Sequence, residues 1–423
     1  MNKLLGIILI PVFSFGMSLQ DAVNTALENN LEMKQEKVIL KKAKIQLKED
    51  KNLFMPEFFV NFSFSYQKDT PYTKIPAGVL PFPLSFKQSE KDFRYFDIGM
   101  NYLIFSGFSR VEKIKITNLE IKASEFLLKE KENHITAVTK KAYLDVLMAK
   151  SLIDVYRKQL TTVEKHLEKV EEFFKEGLVA RIEILQTKVK LSQIKRDLRK
   201  AEGEFRIALE NLKNVLNINK EIDVEPVNIK IPNTLNLTPL IEKAYKNRAI
   251  IKAMSLKTNQ IERYEKIELS PFLPKIFAQA KYFYTDQYPY LDPKENYAVT
   301  LGLNWQFQGL KPYYASLKLK QDYIKMKLKI QQVKNNIRLQ VKAAYERFLT
   351  AKENLKLAED SLSEAEEYYR LTVEQFNNQL ATTTDVLDAE SMLTAARKGK
   401  EISYYQLIKA FVDLEEAVGG SVK

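Results

Sequence analysis

The side chains best suited to chemistry are two carboxylates, Asp385 and Asp388, in the run Asp-Val-Leu-Asp-Ala. Residues three apart lie on one face of a helix, so the two acids can act together on a cation. A metal site built on them needs a third or fourth ligand, which the sequence does not locate. The alternative is structural, because aspartate is favoured at the positive N-terminal end of a helix. The pair therefore indicates either cation binding or the start of a helix.

Few other residues could support catalysis. The 423 residues include two histidines, His134 and His166, and no cysteine, which excludes disulfides, thiolate metal sites and thiol nucleophiles. Both histidines lie in polar helical stretches, where surface positions are expected. The sequence contains no P-loop, Gly-x-Ser-x-Gly or His-Glu-x-x-His motif. We expect no enzyme, no cofactor and no bound metal.

The first eighteen residues are typical of a signal peptide. Lys3 precedes twelve apolar residues that end at Phe15, and Gly16-Met17-Ser18 supplies the small residues that a signal peptidase recognises. Twelve residues are too few for a membrane-spanning helix, which needs about 20. We expect residues 1–18 to be removed from an exported protein.

The net charge of +12 comes from lysines that are largely interspersed with glutamates along helical stretches. Such a pattern is typical of solvated coiled-coil surfaces. The sequence has no basic cluster with interleaved aromatic residues, and an exported protein does not meet nucleic acid. Nucleic acid is therefore not expected as a partner.

The chain contains an internal repeat. Residues 19–30 resemble 237–248, and the same shift aligns Phe54-Met55-Pro56 with Phe272-Leu273-Pro274. After residue 105 the similarity continues at a smaller shift, which aligns Ala142-Tyr143 with Ala344-Tyr345. We predict repeat 1 at 19–218, a linker at 219–236 and repeat 2 at 237–423.

Each predicted repeat opens with a helix, at 19–53 and 238–270, and continues with two strands. The strand hairpins are predicted at 57–67/94–105 and 275–285/296–307, where apolar and polar residues alternate. Strands of about ten residues with an apolar outer face and a polar inner face are typical of outer-membrane β-barrels. A half-buried sheet of a soluble domain gives the same alternation. The flanking helices and the many aromatic residues favour the barrel.

The rest of each repeat is predicted to be a long helical hairpin. No proline or glycine occurs between Phe108 and Glu176, a length that would make a helix about 100 Å long. A first tip near 177–180 and a second tip near 379–382 precede the shorter returning helices. Helices of this length with stripes of Leu, Ile and Val need neighbours, which indicates a coiled coil.

Four strands cannot close a barrel, and a lipid bilayer tolerates no open sheet edge. Since closed barrels start at about eight strands, the options are a dimer with eight strands or a trimer with twelve. Small polar residues on the inner face favour the wider, water-filled barrel. The expected fold class is an α+β membrane protein, a trimeric 12-stranded barrel continuous with a long α-helical coiled-coil tunnel.

The sequence resembles the TolC family of outer-membrane efflux proteins over nearly its whole length. The matching motifs are the helix start Leu19-Gln20-Asp21-Ala22, the strand ends 103–107 and 305–309, the first tip, and 385–389 after the second tip. The resemblance implies a homotrimeric exit duct in the outer-membrane lipid, with a helical tunnel in the periplasm. A periplasmic adaptor and an inner-membrane transporter would open its tip, in a tripartite efflux pump or a type I secretion system.

The resemblance also implies site residues. Asp385 and Asp388 would form two carboxylate rings at the periplasmic constriction of a trimer, and Glu183 and Phe376 match gate positions. Family members often have Tyr at the position of Phe376, and the best-known member has Arg at the position of Ala381. The adaptor would bind at the tips, which contain the residues Gly177, Leu178, Gln379 and Leu380.

A rival interpretation is a structural protein, either a periplasm-spanning coiled coil or an adhesin stalk that a β-barrel anchors. A continuous conducting lumen distinguishes the duct from the stalk. The sequence does not indicate the cargo.

Overall fold

The computed structural model describes residues 16–79, 81–232, 234–306 and 308–422. Most of the expected signal peptide, as well as Phe307 of the expected fourth strand, lies outside the described residues. The chain divides into a helical unit, made of residues up to 38, 126–252 and from 331 onwards, and a strand unit, made of 39–125 and 253–330.

The described residues of the first half form the helices and strands α1 Leu19–Asn29, α2 Leu31–Asn52, β1 Glu57–Tyr66, β2 Tyr72–Ile75, β3 Leu84–Lys87, β4 Asp92–Ser106, α3 Ser109–Lys175 and α4 Arg181–Leu216. The second half contains α5 Leu237–Asn247, α6 Ala249–Leu269, β5 Lys275–Thr285, β6 Glu295–Asn304, α7 Lys311–Asn377 and α8 Thr383–Val418. The long helical hairpins are present, with 67 residues in both α3 and α7 and 36 in both α4 and α8. Within the described residues, no helix combines the length and the apolar character that crossing a membrane requires.

The two opening helices are each broken in the structure, whereas the sequence pattern predicts continuous ones. Asn30 separates α1 from α2, because its backbone N–H donates to Ala26 O at 2.9 Å while its side-chain oxygen accepts from the N–H of Glu32 at 2.9 Å. It ends one helix and caps the next. Arg248 separates α5 from α6, and its guanidinium donates to Glu130 at 2.6 Å and to Ala417 O at 3.1 Å. A polar residue lies at each break, with a helix-capping contact at Asn30 and tertiary contacts at Arg248, and hydrophobic periodicity does not register either kind of contact.

The strand unit contains a four-stranded antiparallel sheet in the order β1-β4-β5-β6. Its register places Phe62 opposite Phe96, and Phe96 opposite Tyr284. A further hairpin, β2–β3, occupies the loop between β1 and β4, where no strand is predicted. Among the described residues, β1 and β6 each pair on one side only and form the two edges of the sheet.

The helices of the strand unit follow the same order as the strands. Helix α2 contacts α3 through the hydroxyl of Thr117, which donates to Asp50. Helix α3 contacts α6 through Gln260, whose side chain donates to Ile116 O at 3.1 Å. Helix α6 contacts α7 through Ser316, whose hydroxyl donates to Glu265 at 2.9 Å. The sheet and its helices therefore share the order α2-α3-α6-α7 and β1-β4-β5-β6.

The helical unit has its core where the short helices pack on the long ones. One cluster joins α1 and α4 to α3 around Tyr143, and a second joins α5 and α7 to α8 around Phe348. The buried hydroxyl of Tyr143 lies 2.7 Å from Met17 O and 2.8 Å from Glu225 O, and burial raises its pKa to about 12. This contact ties the segment that follows α4 to the middle of α3.

Candidate functional site

The two hairpin tips of the helical unit have the same turn geometry. In the first tip, Gly177 has a φ of +77°, and the N–H groups of Gly177 and Leu178 donate to the carbonyls of Phe174 and Phe173 at 3.0 and 2.9 Å. In the second tip, Gln379 has a φ of +61°, and Gln379 and Leu380 bond in the same way to Phe376 and Gln375. Both are Schellman turns, which satisfy the last carbonyls of a helix. Gln379 thus adopts the left-handed conformation that glycine usually supplies.

The leucine that follows each turn projects into solvent. Leu178 is 45% exposed and Leu380 is 78% exposed.

Asp385 fixes the start of α8. Its carboxylate accepts from the N–H of Thr382 at 2.8 Å and from the Thr382 hydroxyl at 2.7 Å, while the Asp385 N–H lies 3.2 Å from that hydroxyl. This is a capping box. The hydrogen bonds from Thr382 lower the pKa of Asp385, so the exposed carboxylate is ionised at neutral pH. Within one chain, the role of the Asp385 side chain is therefore to cap α8.

Asp388 lies one turn further along α8 and is exposed. It lines a groove of about 390 Å³ between α4 and α8, together with the apolar residues Ile182, Leu185, Val189 and Leu387. The structure thus brings both aspartates to the exposed side of α8 near the tip. Among the described residues, no group of three or more carboxylates and histidines has the arrangement of a metal site.

Glu183 joins the two hairpins. Its carboxylate accepts from the hydroxyl of Thr383 at 2.5 Å, and its backbone carbonyl accepts from the hydroxyl of Thr187 at 2.8 Å. Thr383 and Thr187 are fully buried. In this chain the side-chain partner of Glu183 is therefore a threonine hydroxyl rather than a tyrosine hydroxyl or an arginine guanidinium.

Phe376 lies inside the helical unit, with 3% of its surface exposed. Its ring packs 5.5 Å from the ring of Phe173 and 5.0 Å from the imidazole of His166. Ala381 is half-buried against the same cluster. Phe376 therefore holds α7 against α3 near the tips.

Three further polar residues lie near the tips. Glu390 and Thr383 were not identified from the sequence, and the surface position expected for His166 is wrong. His166 is largely buried and its Nε2 has no hydrogen-bond partner among the described residues; burial lowers its pKa to about 4. Glu390 is 2% exposed, accepts from Gln159 at 2.8 Å, and has its pKa raised by burial. Thr383 makes the contact to Glu183 described above. A histidine, a glutamate or a threonine on a charged helix carries no sequence signal of burial, because the packing of neighbouring helices decides it.

The sheet of the strand unit exposes its apolar face. On the edge strands, the apolar residues at alternate positions are 60–78% exposed, namely Phe58, Val60, Phe62, Phe64 and Tyr66 on β1 and Tyr297, Val299, Leu301 and Leu303 on β6. The opposite face carries polar or small residues such as Asn61, Ser63 and Thr300. An apolar sheet face this exposed is an unfavourable surface in water and a favourable one in lipid.

Comparison with known proteins agrees with this arrangement. The sequence profile of the outer membrane efflux protein family matches residues 22–217 and 240–420. A search of curated proteins gives no match.

Three solved structures illustrate the similarity of fold. The CmeC outer membrane channel of Campylobacter jejuni is 16% identical with a TM-score of 0.76, covering 95% of this chain and 85% of that one. The outer membrane protein VceC of Vibrio cholerae is 14% identical with a TM-score of 0.72, covering 96% and 97%. The MtrE outer membrane channel of Neisseria gonorrhoeae, in its open state, is 15% identical with a TM-score of 0.73, covering 96% and 89%. With the family profile, these findings confirm the resemblance drawn from the sequence motifs: the chain shares the fold of these proteins and belongs to the outer membrane efflux protein family.

Proposed function

We propose that three copies of the chain form a passive exit duct, with a closed 12-stranded barrel in the outer membrane. The observation that carries this proposal is the four-stranded sheet with two open edges and an exposed apolar face. In lipid, the unpaired N–H and C=O groups of β1 and β6 need partners, so β6 of one copy pairs with β1 of the next. Twelve strands enclose a water-filled interior, whereas the eight strands of a dimer leave an interior that side chains fill.

The layered order of the strand unit supports the same assembly. Because α2 and α7 lie at the two ends of the helix order, as β1 and β6 do in the sheet, ring closure brings α7 of one copy beside α2 of the next. Both helices carry exposed apolar residues that such a contact would cover, among them Ile39 and Ile45 on α2 and Ile324 and Leu328 on α7. The wall of the duct would then continue from strands into helices.

The two halves of the chain support the proposal of two structural repeats, 19–218 and 237–423, joined by the linker 219–236. The long helices match in length between the halves. The tyrosines aligned by sequence also make similar contacts, since Tyr143 reaches Glu225 O and the Tyr345 hydroxyl donates to Leu235 O at 2.9 Å. In each half, a tyrosine near the middle of a long helix holds the linker.

The helical hairpins form the periplasmic tunnel in this proposal, and their tips meet the partners. A 67-residue helix is about 100 Å long, which is suited to spanning much of a periplasm. The adaptor would bind at the exposed turns of Gly177, Leu178, Gln379 and Leu380, and an inner-membrane transporter would deliver the cargo.

In the closed duct, contacts within each chain hold the tips together. The hydrogen bond from Thr383 to Glu183 and the cluster around Phe376 join the two hairpins. Phe376 acts here through packing rather than by lining the opening. Asp385 and Asp388 of three chains would form two carboxylate rings at the constriction, and such rings favour cations.

The native mass of the detergent-extracted protein, corrected for bound detergent, tests the assembly. A trimer is expected at roughly 140 kDa, which corresponds to twelve strands. A dimer would contradict the water-filled barrel, and a monomer that is soluble without detergent would contradict the membrane assignment.

Channel conductance in planar bilayers tests the acidic rings. Replacing Asp385→Ala together with Asp388→Ala is expected to weaken block by a polyvalent cation such as hexamminecobalt(III). The matched control, Asp385→Glu with Asp388→Glu, keeps the charge and is expected to retain block. Equal block in the wild type and the alanine variant would remove the aspartates from the constriction.

A further inference from the structure

The first twenty residues of α7 are unusually basic. Between Lys311 and Ile330 the chain has six lysines and one acid, Asp322, and all six lysines are exposed. The corresponding start of α3 mixes both signs, with Glu112, Glu120 and Glu125 among its basic residues. Lysines and glutamates are therefore not interspersed in this segment, which carries much of the net charge of +12.

The lysines form two rows. At 100° per residue, Lys311, Lys318, Lys325 and Lys329 lie on one side of the helix (row A), and Lys320 and Lys327 lie on the other (row B). Two faces of the helix separate the rows. One face packs on α6 through Ser316, and the other is the exposed apolar face with Ile324 and Leu328. Rows A and B therefore lie on the two opposite surfaces of the helix layer.

Among the described residues, one of Lys311, Lys318, Lys320, Lys325 and Lys327 lies within 4 Å of a carboxylate. Lys320 Nζ lies 3.6 Å from Glu265, and Lys327 Nζ lies 4.5 Å from the centre of the Tyr323 ring. Within the described part of the chain, Lys311, Lys318 and Lys325 have no ion-pair partner. On the other end of the layer, α2 adds four exposed lysines and has no acid between Ile39 and Lys48, namely Lys41, Lys42, Lys44 and Lys48.

We infer that the part of the duct next to the barrel is a cationic filter that favours anions over cations. This inference rests on the proposed ring of three copies. In a wall that is one helix thick, each helix contacts neighbouring helices on two opposite sides. Its two remaining sides face the lumen and the exterior, so one of the two lysine rows lines the lumen. Three copies multiply that row, and the α2 lysines of the adjacent copy lie beside it. The resulting potential concentrates anions and excludes cations.

The reversal potential of single channels in a KCl gradient tests this inference. All measurements use a parent protein that carries Asp385→Ala and Asp388→Ala (the background), so that the acidic residues at the tip do not contribute to the ion selectivity. The channel is expected to prefer chloride over potassium. Two variants then reverse the charge of one row each, Lys318→Glu with Lys325→Glu for row A and Lys320→Glu with Lys327→Glu for row B.

Each row serves as the control for the other, because only one faces the lumen. One variant is expected to lower the chloride-to-potassium permeability ratio at least about twofold, since lumenal charges act within a Debye length of the passing ion. The other is expected to leave the ratio unchanged. A potassium-selective background channel, or the same ratio change in both variants or in neither, would overturn the inference. Complete absence of conductance would instead count against the duct itself.

Discussion

At the scale of single residues, the two tips differ most at the turn position itself. Gln379 adopts a left-handed φ that costs a side-chain-bearing residue about 1 kcal/mol, whereas Gly177 adopts it freely. Gln379→Gly is therefore expected to increase the free energy of unfolding by up to about 1 kcal/mol, measured by denaturant unfolding in detergent. The mirror variant Gly177→Ala is expected to lower it by a similar amount, and since no atom lies within 4 Å of the added methyl group, the loss would come from the backbone. A Gln379→Gly protein no more stable than the wild type would contradict the strain at this turn.

The second residue-scale prediction concerns acid. Burial lowers the pKa of His166 from 6.5 to about 4, so the folded protein favours the neutral imidazole. The stability that this group contributes is present above pH 6.5 and is lost as the pH falls towards 4. In His166→Leu, we expect a smaller loss of thermal stability between pH 7 and pH 4.

The only other histidine provides the control. His134 is half exposed and its Nδ1 lies 2.7 Å from Glu416. His134→Gln leaves His166 in place, so the part of the acid sensitivity that His166 contributes is expected to remain. The assignment to His166 fails if His166→Leu and the wild type lose the same stability on acidification.

What the sequence revealed at this scale was the identity of the tip residues rather than their contacts. The family resemblance named Glu183, Phe376 and both aspartates, and their roles at the constriction stay predictions. The partner Thr383 was not found and His166 was wrongly expected at the surface, because the packing of α3, α7 and α8 creates their burial. The capping role of Asp385 was foreseeable, since Thr382 precedes it by three residues, as a capping box requires.

At the scale of elements, the hydrogen bond between Thr383 and Glu183 joins the start of α8 to the start of α4. Thr383→Val removes the hydroxyl donor and leaves the half-buried carboxylate of Glu183 without this hydrogen bond, which destabilises the contact by about 1–3 kcal/mol. We expect channels that open more often in planar bilayers. The matched control is Thr384→Val, because the exposed Thr384 hydroxyl lies 3.5 Å from Gln186 and contributes little. Equal opening frequencies in both variants would show that the bond does not hold the tips.

The fourth prediction concerns the two faces of the strands. Leu301 lies on the apolar face of β6 and Thr300 on the opposite face. If the apolar face meets lipid, Leu301→Lys is expected to destabilise the folded protein by about 2–4 kcal/mol, while Thr300→Lys is tolerated in the water-filled interior. Urea unfolding in lipid vesicles measures both. A larger loss for Thr300→Lys than for Leu301→Lys would reverse the assignment of the two faces.

Periodicity was sufficient to predict the long elements and insufficient for the short ones. A period of two identified the four sheet strands, and the long stretches without proline or glycine after Phe108 and after Pro312 identified α3 and α7. The hairpin β2–β3 was missed because its four-residue strands are too short to show a period. The breaks at Asn30 and Arg248 were missed because a single polar residue makes each of them.

At the scale of the whole molecule, the sequence predicted a membrane barrel because its strand pattern fits lipid on one side and water on the other. It did not predict the common order of strands and helices in the strand unit, which results from tertiary contacts such as that between Gln260 and Ile116 O. Because the helices follow the order of the strands, the helix layer ends at α2 and α7, where the sheet ends at β1 and β6. Closing the ring would therefore require contacts between the helices of adjacent copies as well as between their strands.

The matched lengths of the helical hairpins restrict how this protein can vary. Helices α3 and α7 each have 67 residues, and α4 and α8 each have 36. An insertion in one hairpin alone would push its tip beyond the other and separate Thr383 from Glu183. Lengthening or shortening the protein therefore requires the same number of residues to be added or removed in all four helices, in multiples of seven if their packing is to be kept. A designer who wished to fit this protein to a wider periplasm would have to change both halves of the sequence at once.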